Sequence, residues 1–458
     1  MIREVRVENG ILRGMPSADP RVTAFRGVPF AAPPVGKNRW RAPQPCENWE
    51  GVREAYTFAP ISMQDQPAVG EDVYCKEWHV DKDIPMDEDC LYLNVWTPAN
   101  SVDEKLPVLV WFFGGAFQWG YTAEMEFDGE RLARRGIIVV TVNYRLAVMG
   151  FMCHPEITKE SPDAPANFGL LDQQAGLHWV YRNIAAFGGD PENITIAGQS
   201  AGGGSVLQQL TCEKNYDIVK GAVIMSGMID MEGMPGDIFK PLTLEEAEKK
   251  GEEFFEYIGV KTLEEARSID AKRIRDLYGE YSPMNFAPNS PPDIGKKMFP
   301  IIDGVNYLGN PLTRVKEGKY PDVPVITGYT SDEFTFGGVN IVKKSVTNAV
   351  TAALENAKAA GKDKKFYVYC FDPDIPGEDN PGTFHSVDLW FWFETISKCW
   401  RPFRGRHYDL ARKMANYFAD FVKAHDPNGV DDDGKEMAGW KPFSIEDKEE
   451  MVFKCDQE

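Results

Sequence analysis

The sequence predicts an α/β fold with a large, mostly parallel, twisted central sheet flanked by helices and interrupted by a helical cap. Apolar runs without polar alternation are typical of strands buried on both faces, and they occupy residues 106–113, 137–142 and 194–197. A helical pattern at 169–183 separates the second run from the third. Strand–helix–strand order implies a right-handed crossover within one sheet. A charged helical segment at 240–280 then interrupts the series.

The remaining elements follow in order along the chain. The N-terminal part is rich in glycine and proline, above all at residues 27–36, which predicts short edge strands and turns rather than helix. A helix is expected directly after the third apolar run, at 201–210. Further strands are expected at 221–225, 323–327 and 365–371.

The charged segment has its own start signal. Thr243 and Glu246 fit a capping box, in which two side chains satisfy backbone N–H groups at the beginning of a helix. Because sheet strands resume after this segment, we interpret it as a cap-like insertion, at about residues 230–300. The prediction is therefore a single domain over residues 1–458.

Charge and cysteine content restrict the partners. A formal net charge of −20 repels nucleic-acid phosphates and anionic lipid, so we expect no nucleic-acid and no membrane partner. The eight cysteines form no CxxC pair, which argues against a structural metal. The charged residues 1–6 do not resemble a secretory leader. We therefore expect a cytoplasmic protein, with removal of an earlier leader as the alternative; the sequence does not specify an oligomeric state.

The pentapeptide at residues 198–202, Gly-Gln-Ser-Ala-Gly, has the pattern G-x-S-x-G. In this pattern a sharp strand-to-helix turn exposes a serine in a strained backbone conformation, and side chains two residues away would collide. An apolar strand precedes the pentapeptide here and a helix can follow it. We interpret Ser200 as a catalytic nucleophile. The alternative is a glycine-rich turn without chemistry.

A serine that attacks an ester creates a negatively charged oxygen, which preorganised donors must stabilise. The strand at 106–113 ends in small residues at 114–116, where backbone N–H groups can approach a substrate closely. We expect the oxyanion donors to be the N–H groups of Gly115, Ala116 and Ala201, the last being the residue after the nucleophile. The alternative is an ordinary Gly-Gly turn.

The general base is identified by elimination. In α/β-hydrolases the catalytic order is serine, then acid, then histidine, which leaves three of the six histidines. His407 lies within an amphipathic helical pattern, and His425 lies at the end of it, where a histidine complements the helix dipole. His385 follows a loop after a predicted strand and is the favoured base.

Two carboxylates compete for the role of supporting acid. Asp332 and Glu333 both lie just past the predicted strand at 323–327. Neighbouring side chains point in different directions, and the local pattern does not separate them. A solvated loop charge is the alternative for either residue.

Together these segments resemble the type B carboxylesterase (cholinesterase-like) family of α/β-hydrolases, in a bacterial form. The resemblance rests on long segments in the family's order: residues 25–36, 88–95, 143–145, 169–173 and 187–193. It implies a serine esterase that needs no cofactor and no metal, with Glu333 as the acid and His385 as the base. It also implies two structural ion pairs, Arg39 with Glu88 and Arg145 with Asp172.

The chain departs from the family pattern at three places. Phe113 stands where the family usually has histidine, and Gln199 where it usually has glutamate. Gln199 removes a negative charge from the expected pocket, which argues against a cationic, choline-like substrate. The family's cysteine partner of Cys90 corresponds to Ser62, so that disulfide is absent unless Cys75 replaces it.

Aromatic residues are concentrated near the predicted site and suggest an apolar substrate group. We expect the pocket to include Phe113, Phe117, Gln199, Phe384 and Trp390, although strand aromatics can belong to the core instead. The predicted function is hydrolysis of small aryl or short-chain acyl esters, with hydroxycinnamoyl (feruloyl) esters as a candidate subclass. The alternatives are a non-catalytic binding or adhesion protein on the same fold, and cleavage of amides or thioesters.

Overall fold

The computed structural model describes residues 1–70, 72–230, 240–283, 295–431 and 433–456. Its strands in chain order are β1 Glu4–Val7, β2 Gly10–Arg13, β3 Met15–Pro16, β4 Thr23–Pro29, β5 Val52–Glu54, β6 Tyr92–Thr97, β7 Leu106–Phe112, β8 Ile138–Val142, β9 Gly189–Gln199, β10 Val219–Met225, β11 Val325–Thr330, β12 Thr335–Phe336, β13 Val339–Asn340, β14 Phe366–Phe371 and β15 Met451–Phe453.

The helices alternate with these strands along the chain. They are α1 Val73–Glu77, α2 Glu130–Ala133, α3 Ala147–Phe151, α4 Pro155–Glu160, α5 Phe168–Asn183, α6 Ala201–Leu210, α7 Leu244–Ile258, α8 Leu263–Ser268, α9 Ala271–Tyr281, α10 Pro311–Lys316, α11 Ile341–Ala359, α12 Leu389–Trp392 and α13 Gly405–Ala424.

Within the described residues, ten strands form one sheet in the order β15-β14-β11-β10-β9-β7-β8-β6-β4-β3. The strands from β15 to β8 pair in parallel, whereas β6, β4 and β3 pair antiparallel at one edge. The sheet is thus large, mixed and mostly parallel, and the fold prediction is confirmed. The six predicted strands are all present, with ends that differ by a few residues.

Both faces of the sheet are covered, which explains the unbroken apolar runs. Along β7 the side chains alternate between two cores: Leu109 and Trp111 pack in the core that includes α13, while Val108 and Val110 pack in the core that includes α11. All four are fully buried. The parallel strands end at one common edge, so the residues that follow β7, β9, β11 and β14 are brought together.

The predicted cap contains three helices within the described residues. Helices α7, α8 and α9 occupy the charged segment, and the expected capping box is present: the Thr243 N–H donates to Glu246 Oε2 at 2.8 Å, and the Glu246 N–H donates to Thr243 Oγ1 at 3.3 Å. The parts of the predicted insertion at 231–239 and 284–294 lie outside the described residues. The interpretation of a single domain with an insertion stays a prediction.

Both ion pairs implied by the family resemblance are present. Arg39 Nε lies 2.5 Å from Glu88 Oε1, and Arg145 Nη2 lies 2.7 Å from Asp172 Oδ1. All four side chains are largely buried, so each pair is shielded from solvent and its charges neutralise one another. Both ion pairs join segments of the chain that surround the sheet.

The cysteines lie within the described residues, and none of them forms a disulfide. Cys90 is buried beside Ser62. Ser62 stands at the position where the family has the cysteine that pairs with the one at Cys90. Cys75 does not substitute for that partner. The Ser62 hydroxyl instead accepts a hydrogen bond from the Leu146 N–H at 3.1 Å. Among the described residues, no helix has both the length and the apolar composition needed to cross a bilayer.

Candidate active site

Ser200 lies in the sharp turn between β9 and α6, with φ 57° and ψ −123°. This backbone conformation is unfavourable for a residue with a side chain and persists only where the surroundings impose it. The Ser200 N–H donates to the Met225 carbonyl at 2.9 Å, which ties the turn to β10. A Cβ on Gly202 would lie 2.1 Å from the Phe112 carbonyl oxygen, so only glycine allows α6 to start this close to β7.

His385 reaches Ser200 from the loop that follows β14. Its Nε2 lies 2.7 Å from Ser200 Oγ. The Phe334 ring packs against the imidazole with 4.5 Å between ring centroids, and the Tyr74 hydroxyl donates to the His385 carbonyl at 3.3 Å. The imidazole is 10% exposed, so it is held in place yet open to the cavity.

Glu333 lies directly after β11 on the other side of the imidazole. Its Oε2 is hydrogen-bonded to His385 Nδ1. Its Oε1 accepts from Ser226 Oγ and from the Thr330 N–H, both at 2.8 Å. The carboxylate is fully buried, and these donors stabilise its charge there. With Nδ1 donating to the carboxylate, Nε2 presents its lone pair to the serine hydroxyl.

The neighbouring carboxylate points elsewhere. Asp332 Oδ2 accepts from the N–H and the hydroxyl of Thr383, at 2.9 and 3.0 Å. Asp332 therefore holds the loop that carries His385, whereas Glu333 contacts its imidazole. The tertiary structure thus distinguishes Asp332 from Glu333, which the local sequence did not.

The loop after β7 lies against the nucleophile. A Cβ on Gly114 would lie 3.2 Å from that of Ser200. Gly115, Ala116 and Phe117 have φ angles of 103°, 51° and 59°, a left-handed run that turns successive N–H groups toward one side. The N–H groups of Gln118 and Trp119 donate to the Gly115 carbonyl at 2.9 and 3.1 Å and stabilise this run.

The three expected oxyanion donors border the same cavity. Gly115, Ala116 and Ala201 all line it together with Ser200. Within the described part of the chain, the N–H groups of these three residues donate to no protein acceptor. Unused N–H groups at a helix start and in a left-handed turn suit the binding of an anionic oxygen.

The cavity has a volume of about 720 Å³. Of the five expected pocket residues, Phe117 and Gln199 line it, and Gln199 Nε2 lies 3.3 Å from His385 Nε2. Further apolar walls come from residues that the sequence did not single out: Tyr74, Trp78, Phe127, Phe151, Phe299 and Phe334. A cavity of this size with aromatic walls is typical of a small-molecule site.

The other three expected pocket residues do not line this cavity. Phe113 is buried in the core and stacks on Tyr144 with 4.3 Å between centroids. Trp390 is fully buried, and its Nε1 donates to Glu77 at 3.1 Å. Phe384 does not line the cavity, and its ring packs beside Tyr74 with 6.3 Å between centroids. Phe112 at the end of β7 is also buried in the core, as the alternative interpretation of strand aromatics held, and so are the aromatic residues 391–393 in and after α12.

Two buried acids lie near these residues: Asp388 is close to Glu333 and His385, and Glu126 is at the cavity. Asp388 is fully buried, and burial, followed by the charge of Glu333, raises its pKa to about 7. Its Oδ2 accepts from the Tyr369 hydroxyl at 2.9 Å and from Trp392 Nε1 at 3.3 Å. Glu126 lines the cavity, and burial raises its pKa well above the ordinary value.

One group of side chains has the composition of a metal site, away from this cavity. Ligand atoms of Asp374, His407 and Cys455 lie within 4.8 Å of one another. Both ring nitrogens of His407 are already used, since Nδ1 accepts from the Arg404 N–H at 3.0 Å and Nε2 contacts the Asp374 carbonyl at 2.9 Å. A metal would have to break these hydrogen bonds.

Two curated proteins are similar to this chain in sequence. The chain is 36% identical over 314 residues to fumonisin B1 esterase of Sphingopyxis macrogoltabida, covering 68% of this chain and 53% of that protein. It is 32% identical over 399 residues to mouse (Mus musculus) cholinesterase, covering 84% of this chain and 64% of that protein. The chain thus spans between half and two thirds of the length of these two relatives.

Solved structures are similar over almost the full chain. Carboxylesterase EST55 of Geobacillus stearothermophilus, in a structure at pH 6.8, superposes with a TM-score of 0.78 at 28% identity, covering 99% of this chain and 96% of the other. A solved structure of a PNB esterase superposes with a TM-score of 0.80 at 25% identity and the same coverage. The model of the carboxylesterase family matches residues 2–359 and 345–458. The chain therefore belongs to the carboxylesterase family.

Proposed function

We propose that this protein is a serine carboxylesterase that hydrolyses carboxylic esters through an acyl-enzyme on Ser200. The observation that carries the proposal is the hydrogen-bonded series from Ser200 Oγ to His385 Nε2, at 2.7 Å, and from His385 Nδ1 to the buried Glu333. A nucleophile, a base within reach of its proton and a group that orients the base are the requirements of this chemistry.

The proposed reaction has two steps. His385 accepts the Ser200 proton as Oγ attacks the ester carbonyl carbon, and the protonated imidazole then donates that proton to the departing alcohol. Water attacks the resulting acyl-enzyme with His385 again as base, which releases the acid and restores the serine. Glu333 stabilises the imidazolium in both steps.

The developing oxyanion has donors in the proposed site. The N–H groups of Gly115, Ala116 and Ala201 border the cavity without protein acceptors among the described residues. Donors that are fixed before the reaction stabilise the negative oxygen without reorganisation. Phe113, which stands where the family usually has histidine, stacks on Tyr144 in the core, so this departure leaves the proposed donors in place.

We further propose small aryl or short-chain acyl esters as substrates, with hydroxycinnamoyl esters as one candidate subclass. Phe117, Trp78 and Phe334 give the cavity aromatic walls, which favour planar or apolar groups. Gln199 supplies a neutral amide beside His385 rather than a carboxylate, so no cation is favoured there. The two relatives, fumonisin B1 esterase and cholinesterase, are named for different esters, so they do not identify the substrate of this protein.

Covalent labelling tests the proposal. A fluorophosphonate probe should label the wild-type protein, and Ser200→Ala should abolish labelling and lower kcat for p-nitrophenyl butyrate by about 10⁴-fold or more. The melting temperature should stay near that of the wild type, because the alanine removes one oxygen. An alanine variant with near wild-type turnover contradicts the assignment of Ser200. A wild-type protein that neither labels nor hydrolyses esters supports the non-catalytic alternative.

A further inference from the structure

A pair of fully buried opposite charges, Glu77 and Arg401, takes no direct part in the proposed reaction. Arg401 Nε lies 2.6 Å from Glu77 Oε1, and neither side chain is exposed to solvent. A buried ion pair is seldom more stabilising than apolar side chains of the same size, because both ions lose their hydration. The pair does supply directional hydrogen bonds, which fix each partner at a defined place. The functional meaning of Glu77 and Arg401 therefore depends on the segments that they join.

Glu77 is the last residue of α1 and accepts hydrogen bonds from a distant part of the chain. Its Oε2 accepts from Trp390 Nε1 at 3.1 Å and from Cys399 Sγ at 3.2 Å. Its Oε1 accepts from Trp400 Nε1 at 3.1 Å, besides its contact with Arg401. Helix α1 has only five residues, too few for a helix that is stable on its own. These contacts therefore hold α1 against α12 and the segment that follows it.

Helix α1 and the residue after it form part of the cavity wall. Tyr74 and Trp78 both line the cavity, and their rings pack with 5.6 Å between centroids. The Trp78 ring also packs beside Trp390 at 6.0 Å. Glu77 lies between Tyr74 and Trp78 in sequence, so the contacts that fix Glu77 also fix this wall.

The terminal nitrogens of Arg401 hold the loop that carries His385, which joins β14 to α12. Arg401 Nη1 donates to the Pro376 carbonyl at 3.1 Å and to Asp379 Oδ1 at 2.9 Å, and Nη2 donates to Asp379 Oδ2 at 3.0 Å. A guanidinium group that binds both oxygens of a carboxylate fixes orientation as well as distance. A Cβ on Gly377 would lie 2.5 Å from Nη1, so the loop approaches the guanidinium closely at a glycine.

Arg401 also contacts the residue that precedes His385. Its guanidinium carbon lies 5.4 Å from the centroid of the Phe384 ring, within the range of a cation–π interaction. The same ring packs beside Tyr74 at 6.3 Å, and the Tyr74 hydroxyl donates to the His385 carbonyl at 3.3 Å. The wall helix and the loop of the base thus meet at His385, and Arg401 is joined to both.

The placement of this loop sets the position of the base. Asp332 accepts from Thr383 close to His385, whereas Arg401 holds the middle of the loop. His385 Nε2 lies 2.7 Å from Ser200 Oγ. A displacement of a catalytic group by about 1 Å can cost a hundredfold in rate. An anchor that keeps the loop in place therefore has a direct effect on turnover.

We propose that Arg401, together with Glu77, is a positioning residue of this enzyme, which sets the loop of His385 against the cavity wall formed by α1. The inference rests on the proposed esterase function and adds two residues to it. Neither Glu77 nor Arg401 lines the cavity, so they act through the groups that they hold and not on the substrate. Loss of Arg401 should therefore lower turnover more than it weakens binding.

Arg401→Met tests this role. Fluorophosphonate labelling that is run to completion counts the competent sites, and kcat for p-nitrophenyl butyrate is then expressed per labelled site, which a loss of folded protein alone does not change. We expect kcat per site to fall by about 10- to 100-fold. Because acylation and deacylation both use His385, KM should change by less than about threefold. Arg401→Lys keeps the charge but not the fork that binds Glu77 and Asp379 together, so its kcat should be intermediate.

A double variant separates positioning from stability. Arg401→Met leaves the Glu77 charge buried without this partner, which should lower the melting temperature. Adding Glu77→Gln removes that charge and keeps an acceptor for Trp390. The double variant should therefore recover much of the melting temperature, while kcat per site stays low. Recovery of both quantities together would show that Arg401 only stabilises the fold, and would overturn the proposal.

Arg39→Met is the matched control, because it breaks a second buried arginine–glutamate pair. Arg39 binds both oxygens of Glu88, at 2.5 and 2.8 Å, and its side chain is 5% exposed. Neither Arg39 nor Glu88 lines the cavity. This variant should lower the melting temperature, as Arg401→Met does, but leave kcat per labelled site unchanged.

The outcomes separate the two proposals. Wild-type kcat per site in Arg401→Met, or an equal loss in Arg39→Met, overturns the positioning role and leaves the esterase proposal standing. A wild-type protein that neither labels nor hydrolyses esters counts against the esterase proposal instead. If Arg401→Met does not fold, Asp379→Ala decides the question, since the Asp379 side chain is 34% exposed and the variant leaves the buried pair intact. Its kcat per site should fall by at least about threefold, and an unchanged value overturns the positioning role.

Discussion

The Ser226 hydroxyl donates to Glu333 Oε1 at 2.8 Å, from a fully buried position directly after β10. Ser226 has a φ of 46°, which is an unfavourable backbone conformation for a residue other than glycine. This conformation occurs at the residue whose hydroxyl donates to Glu333. The two oxygens of Glu333 are thus divided: Oε1 is held by Ser226 and Thr330, and Oε2 contacts the imidazole. Ser226 does not line the cavity, so an effect of its hydroxyl on the proposed reaction would pass through Glu333.

Replacement of Ser226 should therefore lower turnover without changing substrate binding. In Ser226→Ala, Glu333 keeps one donor and loses another, so we expect kcat to fall by about tenfold, the equivalent of one hydrogen bond to a charged group. KM for p-nitrophenyl butyrate should change little. Ser345→Ala, at another buried serine away from the cavity, is the control. Equal kcat in both variants and the wild type would show that this donor has no catalytic effect.

The supporting acid can be tested against its neighbour. Glu333→Gln keeps the size of the side chain but removes the charge that stabilises the imidazolium and selects its tautomer, so kcat should fall by about 10³- to 10⁴-fold. Asp332→Asn, which can still accept from Thr383 with its amide oxygen, should lower kcat by less than about tenfold. Steady-state rates at several pH values measure both. The reverse order of effects would assign the acid to Asp332.

Local signals in the sequence were sufficient for the fold and for the turn around Ser200. The apolar runs became β7, β8 and β9, and the helix expected at 201–210 is α6 with the same bounds. These predictions succeed because each depends on a short stretch of chain: strand burial on period and β-branching, the turn on two glycines and a serine. The order of serine, acid and histidine then restricted the choice of base.

The walls of the cavity depend on tertiary structure instead. Tyr74 and Trp78 lie more than a hundred residues from Ser200 in sequence, and no local pattern connects them to it. Phe113 illustrates the opposite error: it adjoins the expected oxyanion loop in sequence, but its side chain stacks on Tyr144 inside the core. Proximity along the chain does not determine the direction of a side chain, which changes from one residue to the next at the end of a strand.

The burial of Asp388 makes a specific prediction about stability and pH. Its pKa in the folded protein is raised to about 7, first by burial and then by the charge of Glu333, from an ordinary value of 3.8. Between these two values the folded state retains a proton that the unfolded state releases. The contribution of Asp388 to stability is therefore greatest below pH 4 and decreases as pH rises toward 7, by roughly 4 kcal/mol at most.

Asp388→Asn isolates this contribution, because asparagine is neutral throughout and can still accept from Tyr369 and Trp392. The variant should not lose stability through this titration as pH rises. The melting temperature of the variant minus that of the wild type should therefore become more positive between pH 5 and pH 8. Other titrating groups affect both proteins and cancel in the difference. A difference that stays constant over this range would mean that Asp388 has the same protonation state in the folded and unfolded chains. That result would conflict with an acid that is fully buried beside the charge of Glu333.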